Sequence, residues 1–118
     1  MNLRPGDIVL IPDAPYTNRL AVKPRPCLVI SGLQFNQSSP DIILAPISSN
    51  VRHGDTKQVA IQSSDASFFH TGLKRTSAIK CGAIFTYSQT QVRRKLGFVQ
   101  QQTLESVRKK VVDILTSD

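Results

Sequence analysis

Apolar residues along the first three quarters of this chain come in short runs, separated by polar stretches that carry proline and glycine. Runs of this length and β-branched character read as strands. Residues 8–11 follow the Pro5-Gly6 turn and form the first predicted strand, 27–30 the second and 42–47 the third. Residues 58–61 alternate and make a fourth; 77–81 and 84–87 are the last two, with Gly82 a bulge or bend between them. Residues 13–24 and 48–55 read as polar loops, and 34–40, with Asn36, Ser38 and Ser39, as a turn. Residues 63–72 show no clear period; Phe68 and Phe69 are expected to anchor them in the core.

The period changes near the C-terminus. Leu104, Val107, Val111 and Ile114/Leu115 recur at helical spacing, with Thr103 as the expected N-cap. Arg108, Lys109 and Lys110 lie mostly off that stripe, which predicts an amphipathic helix on the sheet with a basic outer face. Short strands followed by one helix predict a mainly β (β+α) fold, a small barrel with a C-terminal α-helix.

The 118 residues suit a single domain, 1–118. No apolar run approaches the roughly 20 residues of a membrane span, and the N-terminus has no secretory h-region. Cys27 and Cys81 lie in apolar strands, so reduced, buried thiols of a cytoplasmic protein are expected, not a disulfide. Two His and two Cys without ligand spacing give no support for zinc. The net charge of +7 is uneven: residues 1–73 carry +1 and residues 74–118 carry +6. A basic second half points to an anionic partner, whether RNA, DNA or an acidic protein, or else to a solvated face.

The sharpest local feature is Lys23-Pro24-Arg25-Pro26-Cys27-Leu28-Val29-Ile30-Ser31. Each proline holds the residue before it extended, so Arg25 stands on a stiff backbone at the mouth of a strand. It either decorates a Pro-rich loop or holds a phosphate through its planar, permanently charged fork.

The order Gly6-Asp7-Ile8-Val9, then Arg25-Pro26 with Leu28-Val29-Ile30-Ser31, then Pro46-Ile47-Ser48-Ser49 resembles the PemK/MazF family of bacterial toxins. The resemblance continues through 73–80, Phe85-Thr86 and the C-terminal helix, and covers nearly the whole chain. It implies an SH3-like β-barrel and a metal-independent, cofactor-free endoribonuclease acting on single-stranded RNA. It also implies a homodimer and an antitoxin whose acidic, disordered tail binds the basic groove. Attack by the ribose 2′-hydroxyl would leave a 2′,3′-cyclic phosphate. Arg25 would stabilise the developing charge and Ser48 would hydrogen-bond the phosphate; Ser48 could equally be a turn serine bonding its own backbone. The chain departs from some relatives at Lys80-Cys81-Gly82, where they carry Arg-Cys-Asp, and at Ala83 and Phe85, where Gln and Arg are frequent.

With that carboxylate gone, His53 beside Arg52 is the candidate accessory base, or simply an exposed loop residue. His70 reads as a core-edge residue. Lys74, Arg75 and Lys80 are candidate backbone contacts, and Lys23, Ser49, Asn50 and Ser77 complete the expected RNA-binding set. Tyr16 could stack on a base. The alternative function is non-enzymatic: the same fold supports a DNA gyrase inhibitor working through its C-terminal helix, or a degenerate toxin that only binds its antitoxin.

Overall fold

The computed structural model describes residues 2–14 and 23–118. Tyr16 and most of the predicted 13–24 loop lie outside the described residues. Seven strands are seen among the described residues: β1 Asp7–Ile11, β2 Arg25–Val29, β3 Asp41–Ser48, β4 Gln58–Ile61, β5 Ser77–Lys80, β6 Phe85–Ser88 and β7 Arg94–Phe98. They are joined by a short helix, α1 Leu33–Ser38, and end in α2 Gln101–Thr116. All pairings are antiparallel, in the order β4-β5-β3-β2-β1-β7, with β6 beside the first half of β3.

The eight-residue β3 organises the sheet. Residues Asp41 to Leu44 pair with β6, and Ile47 and Ser48 pair with β5 along the same edge. Pro46 sits at the changeover; having no N–H to donate, it interrupts the ladder where the neighbour changes. Successive residues of the central strands enter different cores. Ile8, Leu28, Ala45 and Ile47 join Ile79 beneath α2, while Val9, Cys27, Val29, Ile42 and Leu44 form a second cluster with Leu3 and Val92. Both faces are therefore apolar, which is why these strands read as continuous runs and not as alternation.

Three elements differ from the sequence expectation. Residues 34–40 form a helical turn because Asn36 is buried and bonded: its Nδ2 donates to Ser31 O and Leu3 O, and its Oδ1 accepts from Ser31 Oγ. β7 was hidden behind Arg93-Arg94-Lys95, charges that suit an edge strand. α2 starts at Gln101 with Gln100 as its cap, so Thr103 is inside the helix; Gln100 follows Val99, whose N–H is tied to Gly6 O. Leu104, Val107 and Val111 are buried, but Ile114 and Leu115 overhang the sheet and are exposed. The outer face is basic only in part, since Arg108 turns inward and its Nε donates to Ile30 O at 3.0 Å. No described helix is long and apolar enough to cross a membrane.

The molecule is mainly β with a C-terminal helix, but among the described residues the hydrogen-bonded ladder does not close into a barrel. β4 and β7 end the main path and β6 is a third edge, α2 packs along β4, and a 3-10 turn at Phe68–Thr71 packs on β7. Phe68 reaches the core; Phe69 does not and is 75% exposed. The turn crosses β7 backbone against backbone. A Cβ on Gly97 would lie 2.1 Å from His70 O, and one on Gly72 would lie 2.2 Å from Leu96 O. Gly72 also holds φ +73, so only glycine suits that crossing.

Candidate functional site

The sheet register builds the site. β1 pairs Leu10 with Pro26 on one side and with Arg94 on the other, so β7 carries Arg94 to within two strand spacings of the Arg25-Pro26 segment, about 10 Å. A cavity of about 420 Å³ opens at this end of the sheet. Leu10, Pro24, Pro26, Ile47 and Leu96 give it apolar walls, and Arg25, Lys74, Arg75 and Arg94 give it four cations. Ser49 and Ser77 add hydroxyl groups, and no carboxylate is among its lining residues. Such a concave, single-sign site concentrates anions.

Arg25 is the pivot. It is half-buried, and its Nε is buried with no hydrogen-bond partner among the described residues. An orphaned buried donor costs free energy unless something accepts from it, so this guanidinium is suited to an incoming anion. A second row of residues also meets at Arg25. It pairs with Ile11, and continuing the β2–β3 ladder two residues beyond Cys27↔Pro46 sets it across from Ser48. Ser48 in turn pairs with Ala78, and Ala78 with Ala60, which leaves a floor of small side chains beside the serine.

The sequence candidates thus fall into two groups. Arg25, Ser49, Lys74, Arg75 and Ser77 share the cavity. Ser48, Asn50, Lys80, Lys23 and His53 are not among its lining residues. Ser48 Oγ accepts from Asn50 N–H at 3.1 Å, the turn bond open to it from sequence, and its own O–H remains available to donate. Lys80 is buried; its Nζ donates to Gln58 Oε1 at 2.7 Å and to Asn50 O at 3.1 Å, tying β5 to β4 and to the 50–57 loop. Lys23 and His53 are exposed. Sequence reasoning missed Arg94, which it counted only as charge; the apolar residues Leu96 and Phe98 that follow were the available sign of a strand.

Neither cysteine is poised as a nucleophile. Burial pushes the Cys27 thiol up to about 12. Burial likewise raises Cys81 to about 11, with Lys110 opposing and Asp55 adding to the shift. Both are free. Among the described residues, no group of three or more His, Cys, Asp and Glu is placed to hold a metal ion.

Several solved structures share this architecture. The toxin MazF-mt6 of Mycobacterium tuberculosis superposes with a TM-score of 0.72 at 18% identity, covering 95% of this chain and 98% of that one. An endoribonuclease in complex with its cognate antitoxin from a mycobacterial species gives 0.71 at 18% identity, covering 97% and 93%. A MazE–MazF structure from Deinococcus radiodurans gives 0.76 at 18% identity, covering 100% and 99%. At such identities the likeness establishes the fold. No curated protein sequence matches the chain. The sequence profile described as PemK-like, MazF-like toxin of type II toxin-antitoxin system matches residues 4–115, nearly the whole length. The chain belongs to the PemK-like, MazF-like toxin family of type II toxin–antitoxin systems.

Proposed function

We propose that this toxin is an endoribonuclease that cleaves single-stranded RNA without a metal ion, by attack of the ribose 2′-oxygen on the adjacent phosphorus. The P–O bond to the 5′-oxygen breaks and that oxygen takes a proton from solvent, leaving a 2′,3′-cyclic phosphate and a 5′-hydroxyl. The observation that carries the reading is Arg25: a buried Nε, unpartnered among the described residues, at the edge of a cation-lined cavity. Arg25 would meet the phosphorane with parallel N–H donors, where charge develops in the transition state. Ser48, held by Asn50 N–H, would donate its hydroxyl proton in a hydrogen bond to a non-bridging oxygen. His53, in the loop that follows Ser48, is the proposed acceptor of the 2′-hydroxyl proton.

The partners proposed follow from charge and family. An acidic, disordered antitoxin segment suits the +6 of residues 74–118, and the endoribonuclease of similar fold is known bound to its cognate antitoxin. A homodimer is proposed as the working form. A second, non-enzymatic reading draws on α2, whose distal Val112, Ile114 and Leu115 are exposed and suited to a protein target.

The test is cleavage of a long single-stranded RNA by purified protein in EDTA, with Arg25→Ala alongside. Cleavage should survive the chelator and fall by at least 100-fold in the variant, the scale of removing one transition-state donor. Equal cleavage by both proteins would refute the role of Arg25. Intact RNA with both would favour the reading through α2.

A further inference from the structure

Three exposed rings stand at the far end of the seam where the 68–71 turn crosses β7. The His70 ring lies 4.0 Å from Phe69 and 5.0 Å from Phe98, centroid to centroid, with an interplanar angle of 25° to the latter. Phe69 is 75% exposed and Phe98 44%. Exposed phenylalanines joined into one stack by a histidine are not explained by the core. They are also not isolated from the cavity. Phe98 is four residues from Arg94 along β7, and His70 is followed by Gly72, Leu73, Lys74 and Arg75, which line the cavity. The two segments are locked together at Gly72 and Gly97. The β1–β7 ladder skips Leu96, so Arg94 and Phe98 stand opposite Leu10 and Asp7, three strand steps or roughly 10 Å apart, with cations at one end of the seam and aromatic faces at the other.

We propose that this seam is an extended contact track for single-stranded RNA, with phosphates on Arg94 and Arg75 and an unstacked base on the Phe69–His70–Phe98 platform. It deepens the endoribonuclease reading and rests on it. A strand whose scissile phosphate sits at Arg25 passes through the cavity, reaches Arg94 across β1, and passes over the open edge of β7 to the rings. The chemistry fits single strands: cations follow the backbone whatever the sequence, and every base has a face to stack. A duplex, with its bases already stacked, offers the platform nothing. An acidic peptide would use the cations but would leave the ring faces without their natural counterpart.

The experiment uses the full chain and a short fluorescein-labelled 2′-O-methyl RNA, which has no free 2′-hydroxyl and cannot be cleaved by the proposed route. Anisotropy gives Kd across a salt series, and cleavage of unmodified RNA is followed in parallel. Arg94→Gln should weaken binding and reduce the slope of log K against log salt by about 0.7, the value of one single-strand phosphate contact. Phe69→Ala and Phe98→Ala should each weaken binding by roughly 5- to 150-fold with no change of slope, the scale of one lost base stack. Phe98→Tyr, which keeps a stacking face, should restore binding. The track is refuted if the three variants bind and cleave like the parent while the parent itself cleaves RNA; the ribonuclease reading then stands alone. A parent that neither binds nor cleaves RNA overturns both readings. In that case, binding of an acidic peptide at the seam would assign it to a protein partner.

Discussion

Replacing Gly97 by alanine is the most direct test of the idea that a backbone crossing, in addition to the hydrogen-bonded ladder, holds the 68–75 segment against the site. The new Cβ would stand 2.1 Å from His70 O, 2.5 Å from Thr71 C and 2.6 Å from Thr71 O. Real Cβ contacts essentially never fall below 3.0 Å, so something must retreat by roughly 1 Å. Neither side yields easily. β7 is tied to β1 by its ladder, and the turn is stiffened by Thr71 Oγ1 donating to Phe68 O at 2.6 Å. Overpacking costs about 1–3 kcal/mol where side chains can adjust; with backbone on both sides, about 3 kcal/mol is expected. With a urea m-value of about 1–3 kcal/mol/M, the denaturation midpoint should drop by roughly 1–3 M. Gly32→Ala is the control, because Gly32 has φ −70 and nothing within 4 Å of the added methyl. It should shift stability by no more than about 0.5 kcal/mol. Movement of the turn also carries Lys74 and Arg75 away from Arg94, so RNA binding should weaken below the midpoint as well. Equal midpoints for the two alanine variants would refute the argument.

Two further outcomes follow from buried polar groups. Folding raises the Cys27 and Cys81 thiols from an ordinary 9.0 to about 12 and about 11, so above pH 9 the folded chain holds protons that the unfolded chain releases. Stability should be level below pH 9 and fall as pH rises from 9 towards 11, and Cys27→Ala should lessen the fall; urea midpoints that rise over this range would contradict it. Asn36→Ala should cost about 3 kcal/mol by unfolding titration, because it strips buried partners from Ser31 and Leu3, and a loss under about 0.5 kcal/mol would show that the network adds nothing.

Local chemistry made much of the molecule legible before any fold was known. The apolar runs located six of the seven described strands, because β1, β2 and β3 feed both cores and the others keep at least one apolar side. The helical spacing of Leu104, Val107 and Val111 located α2 in the same way. Arg25 drew attention because two flanking prolines stiffen its backbone, a property written into the sequence.

What escaped reading depended on distant residues. α1 forms because Asn36 finds Leu3, thirty-three positions away, and no local rule distinguishes that asparagine from one in a turn. Lys80 looks like a free cation until Gln58 and Asn50 O enclose it.

The sequence by itself determined six of the seven described strands, α2, the basic second half and an arginine on a proline-stiffened backbone, because propensity, charge and proline stiffness act over a few residues. Only the tertiary structure decided that Arg94 joins Arg25, that Lys80 does not, and that Phe69 and Phe98 face solvent as a stack with His70. Those outcomes rest on which strands pair and in what register, and a one-residue slip of β7 against β1 would turn Arg94 away from the cavity.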